Sequence, residues 1–149
     1  MAADTFILFS VADTTYALRS RDVAHVEMID QVTAVPNAVP FVDGVVFSRG
    51  AVVPALNLRA RFGFDRAPYG VSSRLIVINH GDRTVGLVVD AAREFAAIDD
   101  ASIHPPAAAL TGLSGRYLEG VANLGGRLVL VLNLEAVLEF RDPVLEEHA

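Results

Sequence analysis

The 149-residue sequence has no cysteine and no lysine. The first absence excludes disulfides, thiolate metal sites and a cysteine nucleophile. The second excludes a Walker phosphate loop and Schiff-base chemistry. Positive charge is scarce overall: 12 Arg stand against 18 Asp and Glu, for a formal net charge of -6. With no basic stripe to neutralise phosphates, neither nucleic acid nor an anionic membrane surface is an expected partner. Long hydrophobic runs are also missing. The longest stretch free of charged residues, Ala101 to Gly115, covers 15 residues and is interrupted by Pro105, Pro106, Gly112 and Gly115, too short and too broken to span a bilayer. The run Phe6 to Phe9 is too short for a signal-peptide core, and no basic residue precedes Arg19. The expectation is a soluble cytoplasmic protein forming one domain, 1–149.

What the chain does have is an internal repeat. Gly44 to Phe64 reads GVVFSRGAVVPALNLRARFGF, and 76 residues later Gly120 to Phe140 reads GVANLGGRLVLVLNLEAVLEF, with nine identities in 21 ungapped positions. Upstream, with a register change of seven residues, FILFSVADTTYAL (Phe6 to Leu18) lies over LIVINHGDRTVGL (Leu75 to Leu87). In each copy two apolar runs flank a small-residue and Asp turn, the pattern of a β-hairpin. A second hairpin follows in each half, turning at Ser48-Arg49-Gly50 and at Leu124-Gly125-Gly126. Asn57 and Asn133 then stand at helix N-cap positions, before one or two helical turns. The fold class expected is mainly β: two small five-stranded SH3-like barrels related by duplication, with short helices. The first half-repeat runs over about 6–70 and the second over about 75–140, with strand exchange between them left open.

No catalytic constellation emerges. Histidines 25, 80, 104 and 148 have no metal-ligand spacing. His25 sits in VAHVEM, an alternating run that places His25 and Glu27 on one face of a strand. Ser114 lies between glycines with His104, Asp99 and Asp100 upstream, but the G-x-S-x-G elbow fails because Arg116 takes the last required place. A serine hydrolase is a remote alternative; no enzyme activity, cofactor or metal is expected. The copies differ at the second hairpin tip, where Arg49 answers to Gly125. A guanidinium on a rigid turn is a good recognition device.

The segments VTAVPNAVPFVDGVVFSRGAVVPALNLRARFG, TVGLVVDAAREF and YLEGVANLGGRLVLVLNLEAVL, in this order and spacing, resemble the CheW family of chemotaxis coupling proteins over about Phe6 to Phe140. The resemblance implies two five-stranded barrels around a shared apolar interior. It implies a non-enzymatic adaptor that joins the cytoplasmic tip of chemoreceptors to the regulatory domain of the histidine kinase CheA, in arrays beneath the inner membrane. An accessory protein that binds only one of these, in a non-flagellar chemosensory system, is the alternative. Carried over by position, the hairpin contact falls on Arg49 and Gly50, with Gly44 opening the hairpin and Val23 and His25 on the neighbouring strand. The receptor groove falls on Leu75, Gly86, Ala92 and Phe95. Three departures stand out: Phe47-Ser48 where Asn-Leu is usual, His25 where an acid is common, and Asn57 where Asp is common.

Overall fold

A computed structural model describes residues 3–106 and 115–140. Each half supplies five strands and one short helix. The first half has β1 (Ala3–Val11), β2 (Thr14–Arg19), β3 (Val23–Met28), β4 (Val42–Ser48), β5 (Ala51–Asn57) and α1 (Leu58–Arg61). The second has β6 (Arg74–His80), β7 (Arg83–Val89), β8 (Ala91–Asp99), β9 (Leu118–Leu124), β10 (Arg127–Leu132) and α2 (Leu134–Val137).

The protein is mainly β, in two five-stranded sheets of order β8-β1-β2-β10-β9 and β3-β6-β7-β5-β4. Each sheet thus takes its two central hairpin strands from one half and the other three from the other half. The joints are parallel: β2 meets β10 at Tyr16↔Leu130 and Ala17↔Val131, and β7 meets β5 from Gly86↔Ala55 to Val88↔Asn57.

This interleaving explains the unbroken apolar runs FILF and LIVI, which lack the alternation of a half-exposed strand. Both faces are buried. Ile7 and Phe9 of β1 join Ile76 and Ile78 of β6 in one cluster shared by the two sheets. Phe6 and Leu8 point the other way into a cluster within their own sheet, as do Leu75 and Val77.

Turn chemistry sets the registers. The β1–β2 turn places Ala12 and Asp13 at φ 49 and 66, and the β6–β7 turn places Gly81 at φ 61. Such positive values match the right-handed twist of two-residue hairpins. Asn57 and Asn133 each accept from the amide three residues on, at 3.2 and 3.1 Å, and so start α1 and α2.

One carboxylate ties these parts together. Asp90, between β7 and β8, accepts from the Ala12 amide in the β1–β2 turn at 2.8 Å and from Arg59 Nε and Nη2 on α1 at 2.9 and 2.8 Å. Burial alone would raise its carboxyl pKa, but the Arg59 hydrogen bonds, the Ala12 amide and the guanidinium charge together hold it below the usual carboxylate value. A depressed folded-state pKa contributes stability above the unfolded value of about 4, and that contribution is lost as pH falls through the folded value. Asp90→Asn is therefore expected to lower stability at pH 6 by about 1–2 kcal/mol, between the figures for exposed and buried pairs. Its urea midpoint should also fall less steeply than wild type below about pH 4; parallel pH profiles would refute the assignment.

Candidate functional site

Two surfaces gather the residues singled out in the sequence. The first is the tip of the β4–β5 hairpin. Ser48 pairs with Ala51, leaving Arg49 and Gly50 as a two-residue turn at φ 49 and 84. The turn is one residue shorter than the sequence suggests, because Ser48 still belongs to β4. Left-handed backbone is costly for a residue with a Cβ, roughly 1–2 kcal/mol. The equivalent β9–β10 turn avoids that cost with Gly125 and Gly126 at φ 59 and 89. Arg49 is exposed and among the described residues takes part in no ion pair. Beside it the cross-strand pair Phe47 and Val52 is 75% and 57% exposed. A guanidinium next to an open aromatic–aliphatic pair has the composition of an interface anchor.

The second surface is a cleft of about 380 Å³ whose walls are β3 and β8, edge strands of different sheets. Val23, His25, Ala92 and Phe95 all line it, over Ile7. Phe95 is 63% exposed. An apolar cleft with an open aromatic on its rim suits an amphipathic helix.

The structure does not bring Leu75 and Gly86 into this cleft. Leu75 is buried and lines a different cavity of about 290 Å³, with Met28 and Phe47. Gly86 lies beneath it on the next strand, where an added Cβ would come within 2.7 Å of the Leu75 side chain. Both belong to the interior of the β3–β4 sheet because β6 and β7 are exchanged into that sheet. Gly44 likewise has a packing role. Thr33 bridges to Val45, and a Cβ on Gly44 would stand 2.1 Å from the Thr33 carbonyl oxygen. A Cβ on the equivalent Gly120 would stand 2.6 Å from the His104 carbonyl oxygen, so this repeat identity records a close backbone crossing made twice.

Sequence reasoning missed a polar cluster beside the hairpin turn. Ser48 Oγ donates to Glu27 Oε2 at 2.7 Å, and His25 Nε2 lies 2.6 Å from the same oxygen and 3.1 Å from Ser48 Oγ. The available signal was the shared strand face of His25 and Glu27; the missing one was that Ser48 is a strand residue. So close an approach to a carboxylate requires the proton on Nε2, leaving no lone pair there to take a proton from Ser48. A Ser-His-acid relay needs acid and hydroxyl on opposite ring nitrogens. The cluster therefore has no nucleophile-activating geometry. Ser114 lies outside the described residues. Among those described, no group of three His, Asp or Glu is placed to hold a metal, and no helix is long and apolar enough to cross a membrane.

A model of the CheW-like domain matches residues 5–142. The chain belongs to the CheW family. It is 29% identical to the chemotaxis protein CheW of Klebsiella aerogenes, over 96% of this chain and 86% of that one. Against the CheW of Rhizobium meliloti the identity is 30%, covering 88% and 84%, and against protein FrzA of Myxococcus xanthus it is 30%, covering 90% and 84%. The crystal structure of the scaffolding protein TtCheW from Thermoanaerobacter tengcongensis superimposes with a TM-score of 0.85, at 29% identity and 95% coverage of each chain. CheW-family proteins are non-enzymatic scaffolding adaptors.

The two hairpin positions differ in what they demand. Gly44→Ala should cost about 3 kcal/mol in chemical denaturation through its carbonyl clash. Arg49→Gly should instead stabilise the fold by about 0.5–1 kcal/mol by relieving the left-handed strain. A destabilised Arg49→Gly would show that the side chain supports the fold rather than a contact outside it.

Proposed function

We propose that this chain is a coupling adaptor of chemosensory arrays, holding the regulatory domain of the histidine kinase CheA at the β4–β5 hairpin and the cytoplasmic tip of a chemoreceptor in the β3–β8 cleft. The observation that carries the reading is the pairing of two open recognition surfaces on one rigid chain of the CheW family. The hairpin offers Arg49, Phe47 and Val52; the cleft offers Val23, Ala92 and Phe95. An adaptor needs both at once, whereas an accessory binder needs only one. Arg49 supplies the fixed fork of donors, matched to carboxylate or carbonyl acceptors on the kinase. The cleft takes apolar anchors of a receptor helix at i, i+3, i+4 spacing. Its work is done beneath the membrane, where receptor tips and kinase meet. It performs no chemistry. A small receptor change reaches the kinase only through contacts that differ between the two signalling states.

The test is calorimetry of each binary pair. Wild type should bind both the kinase regulatory domain and a receptor-tip fragment. Arg49→Ala should weaken kinase binding about tenfold, as an interface anchor does, with receptor binding intact. Phe95→Ser should do the reverse. Wild type binding only one partner would establish the accessory role instead, and binding neither would remove the adaptor reading.

A further inference from the structure

The His25–Glu27–Ser48 cluster joins the two edge strands of one sheet. Glu27 and His25 are on β3 and Ser48 is on β4, the opposite ends of the order β3-β6-β7-β5-β4. Side-chain hydrogen bonds thus close the sheet on itself where backbone pairing stops. The closure sits one residue before Arg49, and one of its members, His25, also lines the β3–β8 cleft.

The duplicate half shows that such closure does not require polar groups. Register fixes the equivalence: His25 pairs with Val77 as Glu94 pairs with Leu8, Glu27 with Leu75 as Ala96 with Phe6, and Ser48 with Ala51 as Leu124 with Arg127. In the second half the counterparts of Glu27 and Ser48 are Ala96 and Leu124, which pack against a single apolar cluster. Half-buried polar groups are tolerated at a cost in desolvation, and their directional bonds fix one arrangement where apolar contacts accept several.

We infer that His25, Glu27 and Ser48 form a latch that positions the β4–β5 hairpin for its partner and links it to the β3–β8 cleft. The inference deepens the adaptor reading and rests on it for the identity of the partner. Ser48 commits its hydroxyl proton to Glu27, so the strand leading into Arg49 is held to β3 by a bond of defined direction. Any occupant of the cleft that displaces the His25 ring acts on the same carboxylate oxygen. His25, Glu27 and Ser48 are thus positioning residues, acting through Arg49 without themselves needing to touch the kinase.

The decisive variant is Glu27→Ala/Ser48→Leu, which writes the apolar pair of the second half into the first. Glu27→Gln serves as its control, since an amide oxygen still accepts from Ser48 and His25. The double variant is expected to fold with a denaturation midpoint at or above wild type, to exchange the Ala51 and Val53 amide hydrogens, which pair across the hairpin with positions 48 and 46, at least fivefold faster, and to bind the kinase regulatory domain about tenfold more weakly. Glu27→Gln should stay within about threefold of wild type in affinity. A folded double variant with wild-type exchange at the tip overturns the latch, as does one with wild-type kinase affinity when wild type binds. If the double variant fails to fold, Ser48→Ala replaces it, with the same two readouts. Should wild type bind no kinase domain, the adaptor reading fails on its own terms, and the exchange comparison in the free protein still decides whether the latch holds the hairpin.

Discussion

Two short parallel joints, β2 with β10 and β5 with β7, are the constraint on which the remaining structure depends. Each sheet is completed by a hairpin from the other half, so neither half can bury its own apolar runs alone. The exchange obliges the chain to cross between sheets twice, once through Arg19–Asp22 into β3 and once through Asp90 into β8. The strands that begin at those crossings are the walls of the cleft. A cleft bounded by two crossovers is held from both sides by the shared core, and Asp90 fixes one crossing to the β1–β2 turn and to α1. Position and rigidity of the cleft are therefore consequences of the exchange.

Much of the architecture was legible because repeat identities sit where geometry admits few residues. Asn57 and Asn133 cap helices, Gly50 and Gly126 take left-handed turns, and Gly44 and Gly120 pass beneath a crossing backbone. Arg59 in the quoted segment ending NLRARFG and Asp90 in TVGLVVDAAREF proved to be one ion pair. The resemblance, rather than periodicity, singled out the hairpin tip with Val23 and His25 beside it, and a groove at Leu75, Gly86, Ala92 and Phe95; of the groove set only Ala92 and Phe95 line the β3–β8 cleft, where Val23 and His25 join them. What could not be read was which strands neighbour one another across the halves. Leu75 and Gly86 lie in a segment that looks like the start of a second barrel, yet they complete the sheet that holds β3, β4 and β5 of the first half. Ser48 was hidden for a smaller reason: a turn drawn one residue too long removes it from β4 and from its partners on β3.

Arginine does different work at different positions in this lysine-free chain. Arg61 lies over the Phe41 ring at 4.3 Å and donates to the Val137 carbonyl at 2.9 Å, binding α1 to the end of α2; burial lowers its pKa. Arg19 draws Asp4, Asp100 and Glu119 around one guanidinium above Phe6, with hydrogen bonding to Glu119 raising its pKa despite burial. In these places the flat fork satisfies several acceptors at once, which a lysine ammonium would not match in geometry. Arg49 has no such internal employment among the described residues, and among the described arginines it alone has left-handed backbone.

The asymmetry between the two copies supports the hairpin side as the one proposed to meet a partner. Duplicated halves share one core, so they cannot diverge freely inside; divergence collects where packing does not decide. The second hairpin has a relaxed Gly-Gly turn with Asn123 and Leu128 across its strands, over an apolar closure. The first has an arginine in left-handed backbone, the exposed Phe47 in place of Asn123, and a polar closure; Val52 and Leu128 are alike in exposure. Each of these three differences carries a cost in the isolated chain, whether as backbone strain, exposed aromatic surface or polar desolvation. Costs concentrated on one hairpin, with the cheaper solution present a few strands away in the same molecule, are what the proposed role of that hairpin as a binding surface requires.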